Sequence, residues 1–210
     1  FAAPSSVNLG ETVKFFVSAR SPTISISIYR SGYYQGTGGR LVKPAQTLPG
    51  KLQPDCYNNL QTGLVSCSNW SLSTSLTIPA GWVSGIYIAK FSDNRGDNFA
   101  VFTVRDDGRK SDILYQQNLF TAQAYNKYGG KSVYDFNGIN ACLTGLGLPR
   151  AVQVSFDRPL FTGDMVMAVS GNGYFRAEYA MVRWLESQGY DVTYSNSLDT
   201  HRSGEPGAHN

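Results

Sequence analysis

The chain has 210 residues, a formal net charge of +3, 16% charged residues and 13% aromatic residues. Cations this sparse and scattered exclude a nucleic-acid binder held by a basic face, and the aromatic content excludes a disordered chain. No apolar run approaches the roughly 20 residues needed to cross a bilayer as a helix, and the length allows one large domain or two small ones.

The chain opens on Phe1 rather than Met, with no basic and apolar leader before Ala2, Ala3 and Pro4. It reads as a processed form or a fragment, a removed secretory signal being one explanation. Residues 1–105 read as all-β. Residues 12–18 and 24–30 are strand candidates, and the second alternates Ile24, Ile26 and Ile28 with Ser25 and Ser27, a period of two with one face buried. Residues 76–78 form another, and residues 83–91 and 98–105 form a hairpin across 92–97. Several strands with turns between them predict an antiparallel, immunoglobulin-like β-sandwich over residues 1–105.

Within this region, residues 29–40 place Tyr29, Tyr33, Tyr34, Arg30 and Arg40 among four glycines. They suit either a surface hairpin with aromatic cross-strand pairs or a loop offering Tyr and Arg to a neighbouring domain or ligand. Gly36, Gly38 and Gly39 sit where a hairpin loop is expected rather than a phosphate cradle. Cys56 and Cys67 flank a turn-rich stretch and are expected to form a disulfide, worth about 2–3 kcal/mol in the chain-entropy account and suited to an oxidising, extracellular setting. Cys142, the remaining cysteine, is expected to be buried or free. Asn69-Trp70-Ser71 matches the glycosylation sequon, so Asn69 is a candidate in a secreted chain.

Residues 106–111 are a charged linker, after which the pattern changes. Residues 112–115 and 151–156 read as strands. Residues 176–188 fit a helix whose Ala177, Ala180, Met181, Trp184 and Leu185 form one apolar stripe. Gly189 supplies its stop, and residues 190–194 follow as a strand. Helix, glycine and strand make half of a βαβ crossover, so residues 112–210 are expected to be a partial α/β domain. A parallel sheet needs cover on both faces. One helix cannot give that, which favours a longer natural chain or a partner copy. The tail from His201 onward reads as loop.

No order of Ser, His and Asp suggests a triad, and no Cys or His spacing suggests zinc. Residues 121–136 are dense in tyrosine and follow a predicted strand, where α/β sheets gather ligands. Tyr125 and Tyr134 could ligate a hard ferric ion as phenolates, against the plainer reading of core and turn tyrosines. Asn126 and Lys131, in the same stretch, are candidate ligand or interface residues.

Four blocks, residues 29–40, 124–134, 154–159 and 182–194, resemble in order and spacing the N,N-dimethylformamidase large (beta) subunit family. The resemblance implies a β-sandwich-like region followed by an amidotransferase-like α/β domain. It also implies an amidohydrolase acting on small amides, with one iron held by two tyrosines and a glutamate and acting as a Lewis acid. Tyr125 matches one ligand tyrosine, and nearby Tyr134 stands as the second, although the family often has tyrosine after Arg-Pro, where this chain has Leu160. The family's glutamate lies in a Gly-His-Asp-Glu block expected downstream of His201 and not among these residues. Glu178 sits one residue off the helix stripe and is expected to be solvated. The alternative is a non-catalytic secreted module that reuses the fold to self-assemble or to contact carbohydrate. No nucleic-acid partner is expected.

Overall fold

The computed structural model describes residues 1–134, 150–160 and 173–203; Cys142 lies outside them. The described chain is mostly β-sheet, with four sheets and a few short helices. The largest sheet orders β2 (Ser6–Asn8), β10 (Gly96–Arg105), β9 (Gly85–Asp93), β4 (Thr23–Ser31) and β5 (Gly39–Pro49) as 2-10-9-4-5. Neighbours run antiparallel except β2 and β10, which are parallel. Against it lies a three-stranded layer of β1 (Ala2–Ala3), β3 (Thr12–Phe15) and β8 (Thr74–Thr77).

The core between these layers follows from side-chain alternation along the strands. Ile24, Ile26 and Ile28 of β4, Val13 and Phe15 of β3, and Tyr87, Ala89 and Phe91 of β9 point into one buried cluster. Phe102 of β10 is fully buried there, its ring against those of Phe15 and Tyr87. The predicted hairpin of residues 83–105 is present, with Gly96 opposite Asp93 at its tip.

The next set of residues on β9, Ile86 and Ile88, faces the other way and enters a second cluster. There they meet Tyr174 of α2 (Tyr174–Ala177), Val182 and Leu185 of α3 (Tyr179–Ser187), and Val192 and Tyr194 of β12 (Val192–Asn196). The large sheet is therefore covered on both faces, which explains why residues 85–89 are continuously apolar or small and all buried. Strand β12 pairs in parallel with β11 (Ile113–Gln117), register Tyr115 to Tyr194, as the helix–glycine–strand pattern predicts. Every residue of β12 is buried, so much of the cover this strand needs comes from within the chain, from the outer face of β9 and β10.

Three expectations are corrected. The helix over 176–188 is broken at Glu178, and its buried stripe is Tyr174, Glu178, Val182 and Leu185. At 100° per residue this is rotated about a quarter turn from the predicted one; Met181 and Trp184 are each 50% exposed. Leu185 belongs to both stripes, and Gly189 does end the helix with a φ of 76°. Residues 151–156 form no strand, because their backbone groups bond singly to neighbours, as Ala151 does to Ser132 and Val152 to Thr62. Of the tail from His201 onward, expected as loop, residues 201–203 end helix α4 (Ser197–Ser203), and residues 204–210 lie outside the described residues; α1 spans Leu119–Tyr125.

Among the described residues no helix is long and apolar enough to cross a membrane.

Candidate functional site

The parallel pair sets the place. β11 ends at Gln117, and Asn118 caps α1 by accepting a hydrogen bond from the Thr121 amide at 3.3 Å. α1 closes on Tyr125, and the chain then loops through residues 126–134. Gly129 and Gly130, at φ of 85° and 110°, turn this loop back. The Val133 amide donates to the Ala124 carbonyl at 3.0 Å. That return stacks Tyr134 on Tyr125, ring centroids 4.3 Å apart and planes at 30°. The two tyrosines singled out from the sequence are thus brought together, nine positions apart, by a glycine turn.

The loop rests on a hairpin of β6 (Tyr57–Asn59) and β7 (Leu64–Ser66). A side chain at Gly129 would come within 2.5 Å of the Val65 side chain, so only glycine permits the approach. Lys131 donates to the Leu60 carbonyl at 2.9 Å. Cys56 and Cys67 are bonded across the base of the hairpin, Cα atoms 4.4 Å apart, as the spacing suggests. Ser155 donates to the Val65 carbonyl and Ser66 to the Asp157 carboxylate, each at 2.6 Å. The bridged hairpin is therefore the platform for both segments of the site.

Asn126, 4% exposed, ties the loop inward by donating to the Pro159 carbonyl at 2.9 Å and accepting from the Tyr128 amide at 3.1 Å. Arg158, 1% exposed, donates to the carbonyls of Tyr128 at 3.0 Å, Asn126 at 3.2 Å and Gln123 at 3.3 Å. The sequence reading gave Arg158 no role. Beside it is a cavity of about 220 Å³ walled by Phe91 and Phe99 from the large sheet, by Phe16 and Trp70 from connecting segments, and by Gln123 and Tyr128 from α1 and the loop.

Glu178 is buried rather than solvated. The break between α2 and α3 turns its side chain toward the carboxyl end of β11. There one carboxylate oxygen accepts from the Tyr115 hydroxyl at 3.2 Å and the Asn118 amide at 3.1 Å. Burial outweighs these two bonds and holds the carboxyl above its ordinary range. Burial and the neighbouring Glu178 likewise raise the Tyr115 phenol. The break, not the helical pattern, is the signal that was missed.

Residues 29–40 sit apart from the tyrosine pair. Arg30 donates to Glu186 of α3 at 2.8 Å, to the Ser84 carbonyl at 2.8 Å and to the Tyr34 hydroxyl at 2.8 Å. Burial opposes the charge of Arg30, but Glu186 and Tyr34 more than offset it and hold the guanidinium pKa above the ordinary arginine value. Tyr194 also donates to Glu186 at 3.0 Å, and Tyr29 packs against the second cluster. Arg40 lies over the Tyr34 ring, 5.2 Å from its centre, and Tyr33 is 40% exposed. A side chain at Gly32 would meet the carboxylate of Glu186, and one at Gly38 the hydroxyl of Tyr179; at Gly38 a φ of 79° favours glycine as well. The dense segment joins the β-layers to α3. Asn69 donates its side-chain amide to the Asp55 carbonyl at 2.7 Å.

Two phenol oxygens are hard donors that suit a ferric ion, so the stacked pair fits part of the donor set the resemblance implies. No cluster of three or more His, Cys, Asp or Glu suited to a metal occurs among the described residues, and no third donor is assigned to the pair.

Compared with known proteins, residues 25–210 match the family described as N,N-dimethylformamidase beta subunit-like, C-terminal. No curated relative matches the chain. Among solved structures, the 1.4 Å crystal structure of an uncharacterized protein from Bacillus anthracis str. Ames is 15% identical, with 49% of this chain and 78% of that one covered and a TM-score of 0.29, a likeness too slight to bear on the fold.

Proposed function

This chain belongs to the N,N-dimethylformamidase beta subunit-like family, and from that membership we propose that it hydrolyses the C–N bond of a small linear amide, with iron held at Tyr125 and Tyr134. The observation that carries the reading is the stacking of these two phenols beyond the carboxyl end of β11, where α/β sheets gather ligands. When bound, the ion supplies Lewis acidity for attack of water on the amide carbon. The residues of the chain do the positioning. α1 carries Tyr125, the glycine turn returns Tyr134, and Asn126 and Arg158 fix the loop between them. The third ligand is left unassigned.

With this reading go three further proposals. The two β-layers of residues 1–105 are an immunoglobulin-like sandwich, joined through 106–111 to an amidotransferase-like domain over 112–210. The disulfide suits an extracellular setting. The chain acts as part of a longer protein or as a homo-oligomer. The alternative, a non-catalytic module that self-assembles or contacts carbohydrate, is favoured by one feature: Trp184 and Tyr190, half exposed, lie beside each other in and just after α3 with ring centres 5.8 Å apart and planes at 53°, an exposed aromatic surface.

The deciding experiment measures dimethylamine released from N,N-dimethylformamide, and ammonia from formamide and acetamide, by the iron-loaded protein and by Tyr125→Phe. Turnover in the first and its loss in the second is the expected result. An iron-loaded protein that turns over none of these amides contradicts the proposal, and Trp184-dependent retention on a polysaccharide column would then favour the alternative.

A further inference from the structure

The described residues bury two arginines, and they are treated differently. Arg30, 7% exposed, is paired with the carboxylate of Glu186. Arg158, 1% exposed, makes no ion pair among the described residues. Its neighbour Asp157 spends one carboxylate oxygen on the Ser66 hydroxyl. Three main-chain carbonyls receive the terminal nitrogens of Arg158, and its Nε, also buried, has no hydrogen-bond partner among the described residues. A buried cation carries an effective penalty of several kcal/mol unless an opposite charge and full hydrogen bonding offset it, and an unfilled buried donor adds to that cost. Burial holds the guanidinium pKa down to about 10, with Asp157 opposing the shift.

The uncompensated charge borders space. Arg158 lines the cavity of about 220 Å³, whose wall combines aromatic side chains, among them Phe16, Trp70, Phe91 and Phe99, with aliphatic residues and the polar Ser5, Asn98 and Gln123. A cavity of about 150 Å³ accepts a benzene ring, so this one has room for a ring and a small polar group. A largely apolar chamber with a few polar groups and a charged side chain is the usual form of a small-molecule site, and arginine is suited to carboxylate.

We propose that this cavity binds a small carboxylate with an apolar, ring-sized body, its anionic group meeting Arg158 and its body packed among Phe16, Trp70, Phe91 and Phe99. The proposal stands apart from amide hydrolysis, because it rests on Arg158 and the cavity wall and not on the tyrosine pair.

The test titrates the full chain with benzoate and with benzyl alcohol, which has nearly the same shape and no charge, following calorimetry and tryptophan fluorescence. A hydrogen-bonded charge pair in such a site corresponds to at least about tenfold in affinity, so benzoate is expected to bind at least about tenfold more tightly than benzyl alcohol. Leu160→Trp, which adds bulk to the cavity wall and keeps Arg158, is expected to abolish benzoate binding while the protein still melts cooperatively. Arg158→Gln, where it folds, is expected to bring benzoate down to the level of benzyl alcohol. Equal affinity for the two probes, no benzoate binding up to about 10 mM, or unchanged binding in Leu160→Trp would each overturn the proposal and leave Arg158 as a strut for the backbone of residues 123–128.

Discussion

Residues 1–105 and residues 113–203 both bury apolar side chains, but the first set closes its main core between its own two layers, whereas the second completes its cluster on the outer face of the first. The seam between them is the Ile86 and Ile88 face of β9 together with the Arg30 to Glu186 pair. A strand with one wet face alternates, and one covered on both faces does not. β9 shows the second pattern over residues 85–89, whereas β4 keeps the Ile and Ser alternation although Ser27 is buried and Tyr29 packs on the second cluster. The second half of the chain therefore docks on both neighbouring strands, on an apolar run in β9 and on Tyr29 and Arg30 in β4.

The largest expected effect probes the self-contained core. Phe102→Ala removes a fully buried ring and is expected to cost about 3–5 kcal/mol in urea unfolding; a cost below about 1 kcal/mol would mean the two layers do not close on each other. Next is the seam. Arg30→Met leaves Glu186 without its charged partner and is expected to cost about 3 kcal/mol, while adding Glu186→Met recovers a large part of the loss; strictly additive losses would break the pairing. The smallest effect sharpens the place of Glu178. Its carboxyl is held above its ordinary value, so folding favours the protonated form. The stability it contributes is full below the unfolded value of 4.5 and is lost as pH rises through the folded one. Glu178→Gln is therefore expected to lose less stability than the wild type as pH rises from 4.5 through the folded value, and superimposable pH profiles would contradict the burial of this carboxyl.

The β-layers were legible because their rule is local. Ile24, Ile26 and Ile28 announce a strand and its inward face, and Gly189 announces the end of a helix. The buried face of that helix was not legible. Ala177, Met181 and Trp184 are apolar and correctly spaced, but the face that docks is chosen by what lies opposite, and Ile86 and Ile88 receive Tyr174, Val182 and Leu185. Tyr125 and Tyr134 could be proposed from a resemblance. Their stacking depends on a glycine turn and a hairpin bonded through Cys56 and Cys67, which no periodicity encodes. Arg158 escaped notice because its distinguishing property, a lack of counter-charge among the described residues, exists only in three dimensions.

The central claim is that Tyr125 and Tyr134 hold iron, and its most direct measurement is the iron content and visible absorption of the full chain after loading with ferric ion. The account predicts about one iron per chain with a phenolate-to-iron absorption band, and loss of both in Tyr125→Phe and in Tyr134→Phe. Negligible iron in the wild type, or the same iron content and spectrum in all three proteins, would contradict it.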